Sequence, residues 1–153
     1  LGHHRDLRED AMQREEFETR IRELLPGASK MALDRTVSYA EELEREAEEC
    51  AGSLYDAFYV ELALVKRDHG AEIAKALFDY GEHFTFNFFE LRGAARLLAQ
   101  GWSLEKIEAY TVENGCDAAP EEALESRSAL QAFQNGDPNF LEVPETAMGP
   151  EMR

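Results

Sequence analysis

The chain has 153 residues, 44% of them hydrophobic and 10% aromatic, with 32 acidic residues against 16 basic ones and a formal net charge of -16. That length suits one domain with a buried core, and the apolar share is too high for wholesale disorder. The charge opposes binding to nucleic-acid phosphate or to an anionic membrane, and no apolar run is long enough to cross a bilayer.

The charge is uneven. Residues 1–53 hold 14 acids and 8 bases, residues 54–102 hold 7 and 5, and residues 103–153 hold 11 and 3. Acidic flanks around a nearly balanced middle predict that the middle forms the core. Cys50 and Cys116 stand far apart in no metal or disulfide spacing. Reduced thiols and a cytoplasmic protein are the expectation, with no secretory signal visible. The chain starts at Leu1 rather than at a methionine. Residues 1–11 are therefore read as an N-terminal extension, residues 12–136 as a single helical domain, and residues 137–153 as a flexible tail.

In chain order, residues 5–25 predict a helix with Leu7, Met12, Phe17, Ile21 and Leu24 on its apolar side, ended by Pro26-Gly27. Ser29 caps a second helix to about Ala51, with Leu33, Val37, Ala40, Leu43, Ala47 and Cys50 along one stripe. Its opposite side is the acidic run EELEREAEE, residues 41–49. Gly52-Ser53 is expected to break the helix, and Ser53 with Asp56 resembles a capping box. The next helix, Leu54 to His69, carries Leu54, Phe58, Leu62 and Val65 on one face. Tyr55, Tyr59 and Ala63 lie beside them, and Asp56 and Glu61 are placed at a solvent seam. A short helix from Ala71 to Tyr80 follows.

Phe84 to Trp102, FTFNFFELRGAARLLAQGW, is the most aromatic stretch and the expected centre of the fold. Asn87 and Glu90 form a capping box, and Phe86 is placed to staple onto Leu91. Phe88, Leu91, Ala95 and Leu98 form one stripe, Phe89, Gly93 and Leu97 a second, and Gly101 ends the helix. The alternation of Phe84, Phe86 and Phe88 also fits a strand, but no second strand is there to pair with it. Ser103 caps a helix to about Asn114, with Leu104, Ile107, Tyr110 and Thr111 inward. Pro120 opens a final helix to about Asn135, with Leu124, Ser128, Leu130 and Phe133 at its edge. The fold class is all-α: a compact bundle of about six to seven helices with an extended acidic C-terminal tail.

Chemistry is harder to find. RLLAQGWSLEKIEAY, residues 96–110, reads like a helix-turn-helix unit. Its second helix would offer DNA Ser103, Leu104, Glu105, Lys106 and Glu108, which is the wrong electrostatics, so a plain helical corner is preferred. Asp68, His69 and Glu72 cluster around Gly70, and Asp79, Glu82 and His83 around Gly81. Neither group has the Glu-x-x-His or HExxH spacing of a metal site. Nothing in the sequence sets Cys50 or Cys116 beside His69 or His83 as a nucleophile with its base. Gly-x-Ser-x-Gly, phosphate-binding and dinucleotide motifs are missing. The expectation is therefore no enzyme, no metal and no cofactor.

What is left is acid. Glu41, Glu42, Glu44, Glu46, Glu48 and Glu49, with Glu105, Glu108, Glu113, Glu121, Glu122 and Glu125, can form charged faces. The reading is a binding module, an adaptor or inhibitor, docking on a basic protein. Its contact residues are Glu41, Glu44, Glu48, Glu105 and Glu108, with an aromatic patch near Tyr55, Tyr59 and Trp102. The alternative is a nucleic-acid mimic that blocks a DNA- or RNA-binding enzyme such as a restriction or CRISPR nuclease, because a row of carboxylates can imitate phosphates. A small metal-binding enzyme using His69 or His83 ranks below both. Ordinary solvated helix faces have the same composition.

Overall fold

A computed structural model describes residues 12–47, 51–81 and 85–142, with backbone only at Ala47, Ala51 and Gly52. The expectations for residues 1–11, Glu48, Glu49, Cys50, Glu82, His83, Phe84 and residues 143–153 lie outside the described residues. Within them the fold is all-α, with seven helices, one 3-10 turn and no strand. The helices are α1 (Arg14–Leu24), α2 (Lys30–Ala47), α3 (Ala51–His69), α4 (Ala71–Asp79), α5 (Leu91–Ala99), α6 (Leu104–Asn114) and α7 (Pro120–Gln134), followed by the turn Phe140–Glu142.

The ends of these helices follow their local hydrogen bonds. The Ser29 hydroxyl accepts from the Ala32 N–H at 3.1 Å and opens α2. Ser103 does the same for Lys106 at 3.1 Å and opens α6. Asn87 accepts from Glu90 N–H at 3.2 Å, and Glu90 reaches back to the Asn87 N–H at 3.1 Å, so the reciprocal cap forms as expected. The first α-helical residue is nevertheless Leu91, because residues 88–90 form a turn before it. Gly101, with φ at 102°, ends the segment in a conformation that a side chain would strain.

The centre of the molecule is α3, not the Phe84–Trp102 stretch. Helices α1, α2, α4, α5 and α7 all pack on it. Leu54, Tyr55, Phe58, Val60, Leu62, Ala63, Leu64 and Val65 are buried, which covers every side of the helix. A helix apolar all round sits inside its neighbours rather than on their surface. It already includes Gly52 and Ser53, so neither the break at Gly52-Ser53 nor the Ser53–Asp56 cap occurs there. Helix α5 is shorter and one-sided. Its second stripe also fails at Phe89, which is 63% exposed.

Gly93 marks a close approach of backbone to backbone. A Cβ there would stand 1.9 Å from the Cys116 carbonyl oxygen, so α5 and the loop after α6 meet only because that atom is missing. Helix α6 is loosely held: Ile107 is its one buried residue, while Val112 is 81% exposed and Tyr110, expected inward, is exposed as well.

Residues 137–142, expected as the start of a tail, are packed. Phe140 packs edge-on against Phe133 at 5.0 Å and near Tyr59 at 6.2 Å. Arg67 donates to the Leu141 carbonyl at 2.7 Å. These contacts fold the described part of that segment onto α3 and α7, beside a small second core of Val60, Leu64 and Ala129.

Candidate functional site

Two carboxylates on α3 overturn the seam expectation. Asp56 and Glu61 are both buried. Asp56 accepts from the Met12 N–H and from Gln134 Nε2, each at 3.2 Å. Burial dominates over these two donors and pushes its carboxyl up to about 6. Glu61 is 8% exposed, and burial pushes it up to about 7 against the opposing pull of Ser126 and Arg92. Sequence reasoning missed both because their partners come from distant segments.

Glu61 borders an ion network that joins α3, α5 and α7. Arg92, only 5% exposed, donates to Asp68 at 3.0 Å and Glu125 at 2.7 Å from one nitrogen. Its other nitrogen donates to the Glu122 carbonyl at 2.9 Å and the Ser126 hydroxyl at 3.1 Å. Arg67 pairs with Asp68 at 2.7 Å and Glu125 at 3.0 Å, and Arg96 with Glu122 at 3.0 Å. Burial alone would raise Asp68, but Arg67 and Arg92 outweigh it and hold the carboxyl below its ordinary value. Every nitrogen of Arg92 named above has a partner, so the network works as a structural clasp.

The residues singled out from the sequence separate into three places. Glu41 and Glu44 of α2 lie near enough to Tyr55 of α3 to act on its phenol electrostatically. The Tyr55 ring is 3% exposed and stacks on Phe17 with centroids 4.9 Å apart. It is therefore core rather than part of a surface patch. Its phenol is pushed up to about 12, by burial first and by Glu41 next, with Glu44 and Glu18 adding and Arg14 opposing. Arg14 reaches Glu18 at 3.1 Å and Glu41 at 3.7 Å. Glu42, Glu44 and Glu46, further along α2, make no ion pair among the described residues.

Glu105 and Glu108 of α6 lie by Tyr80, whose hydroxyl donates to Glu108 at 2.7 Å. Trp102 stands at the α5–α6 corner, with the Lys106 ammonium 4.3 Å from its ring centre and Tyr110 edge-on at 5.5 Å. Tyr59 packs with Phe133 and Phe140, with the Arg20 guanidinium 5.5 Å from its ring centre. Tyr55, Tyr59 and Trp102 thus keep separate neighbours instead of forming one aromatic patch.

Among the described residues, no group of three or more His, Cys, Asp or Glu side chains is arranged to hold a metal ion. Asp68, placed by sequence beside His69, is held by arginines instead. The Cys116 thiol is buried, with Thr111 Oγ1 at 3.0 Å. No helix among the described residues is long and apolar enough to cross a membrane.

The arrangement defines an all-α helical bundle with a carboxylate-rich seam between α1, α2 and α3. Comparison with protein-family models, with curated proteins and with solved structures finds no match to this chain.

Proposed function

We propose that the protein is a non-catalytic binding module, an adaptor or inhibitor, that docks on a basic protein surface through the acidic side of α2. One observation carries this reading: Glu41 and Glu44 share a seam with Glu18, with Arg14 as the cation among them. Elsewhere most bases already have partners within the chain. Arg67, Arg92 and Arg96 hold the ion network, Lys75 pairs with Asp79, and Lys66 donates to the Leu24 carbonyl. The surplus charge offered to a partner is therefore carboxylate, and a basic surface answers it.

Recovery of partners from the native host, read by mass spectrometry, tests the reading. Partners held by wild type should fall away between about 0.05 M and about 0.5 M salt, where surface charge is screened. They should also be missing from the Glu41→Lys/Glu44→Lys protein. Unchanged partners with both charges reversed would refute docking through α2. Release of the partner by duplex DNA would turn the reading towards imitation of nucleic acid.

A further inference from the structure

We infer that α7 and the turn behind it form a flap that lifts from α3 as pH rises, because its seat on α3 is built over two buried carboxylates, Asp56 and Glu61. Docking through α2 plays no part in this. Asp56 is 3% exposed, and its two donors, the Met12 N–H and Gln134 Nε2 at the end of α7, are both neutral. Glu61 lies on the neighbouring side of α3 by helical spacing. It adjoins Val60 and stands three residues before Leu64, which share a small core with Ala129 of α7, and seven before Asp68, which pairs with Arg92. Asp56, early in α3, meets Gln134, late in α7, while Arg67, late in α3, meets Glu125, early in α7. The two helices therefore run antiparallel, and α7 covers the strip of α3 between the carboxylates.

The apolar hold on this flap is thin. Ala129 is the one buried residue of α7, and the second core it joins has only Val60 and Leu64 besides. The other ties are ion pairs, from Arg67 and Arg92 to Glu125 and from Arg96 to Glu122. Such pairs contribute little once water reaches them.

The charges around each carboxylate set the direction. Glu16 and Arg20 of α1 act on Asp56, and Arg92 of α5 with Glu122 and Glu125 of α7 act on Glu61. Arg92 is already engaged by Asp68 and Glu125, so a charge on Glu61 competes with Glu125 for it and repels Glu122. Burial keeps both carboxyls protonated above their ordinary range, to about 6 at Asp56 and about 7 at Glu61. At low pH both are neutral and the flap stays down. As pH climbs towards those values, the lifted state ionises first and gains population. Lifting α7 wets both groups while the larger core of α1 to α5 stays closed, so it costs less than unfolding the chain.

Native-state hydrogen exchange of the full chain at pH 5 and pH 8 tests this, read by NMR as protection relative to the free-peptide rate at each pH. Amides of α7 should be less protected than those of α2 at both pH values, and their exchange should depend less on added urea, as an opening that exposes little surface does. Their protection should fall about a hundredfold from pH 5 to pH 8 in wild type, and about tenfold in Glu61→Gln, where Asp56 alone still titrates. Equal protection and equal urea dependence in α7 and α2 would show the carboxylates acting on the whole fold, and the flap falls. Protection in α7 that stays level between the two pH values overturns it as well, as does a hundredfold fall that Glu61→Gln leaves intact. Should Glu61→Gln fail to fold, the wild-type comparison of α7 with α2 decides alone.

Discussion

Replacing Glu61 by glutamine should stabilise the protein, and only at neutral to alkaline pH. The carboxyl lies in the middle of α3, and its ordinary value of 4.5 is raised to about 7 by burial. Arg92 cannot fully compensate, because its guanidinium is already engaged by Asp68 and Glu125. Below about pH 4.5 the group is neutral whether the chain is folded or not, and it contributes nothing. Between about 4.5 and about 7 the unfolded chain ionises while the folded chain keeps the proton, so stability drains away as pH rises. Above about 7 the penalty is complete, at about 3 kcal/mol from the two pKa values. Glutamine carries no such penalty, and the figure is already net of the attraction of Arg92, so a gain of up to about 3 kcal/mol at pH 8 is expected. Urea unfolding of both proteins at pH 5 and pH 8 measures it. The variant should gain on wild type between the two pH values. A variant weakened equally at both would show Glu61 to be an ionised member of the Arg92 network, and the argument would fail.

Asp56→Asn should follow the same sign over a lower window. Its carboxyl is raised to about 6, so wild-type stability falls as pH climbs from about 4 to about 6, and the variant should lose less across that range. Its gain is smaller than at Glu61, because asparagine cannot accept from both Met12 and Gln134 without turning its amide towards one of them. Arg92→Met should destabilise by about 2–3 kcal/mol in urea unfolding, since it removes charged hydrogen bonds to Asp68 and Glu125 and leaves Arg67 alone to answer both carboxylates. Gly93→Ala should lower stability by about 2 kcal/mol or more, because the added carbon collides with backbone at Cys116 and not with a side chain that can swing away. A neutral result by thermal melting would mean that α5 and the 115–118 loop can part freely.

Helix ends were readable because their physics is local. Ser29, Ser103, Asn87 with Glu90, and Pro120 each act within a few residues of themselves. The identity of the central helix was not, because amphipathic pattern is a measure of difference between faces. In α3 every face is apolar, so the pattern weakens as burial becomes complete. Asp56 and Glu61 stood out of reach for another reason: their neighbours arrive from Met12, Gln134, Arg92 and Ser126, far along the chain. One signal was present. Glu61 has Ala57, Phe58, Leu64 and Val65 three and four residues away, so no polar strip exists for it to join. Phe89 and the fold-back at Phe140 had no such signal, since only tertiary packing decides between cover and exposure there. Of the seam, the acids of α2 were legible, but the position of Tyr55 beneath them depended on how α1 crosses α3.

The clasp made by α7 on α3 bears on how the protein is made. Translation delivers α1 through α6 first, and until α7 emerges the Val60–Leu64 side of α3 has no cover and Arg92 lacks Glu125 and Ser126. A growing chain halted before Pro120 therefore holds an open apolar wall next to a guanidinium that has only Asp68 to answer it. Loss of α7 alone would open the second core and the ion network together.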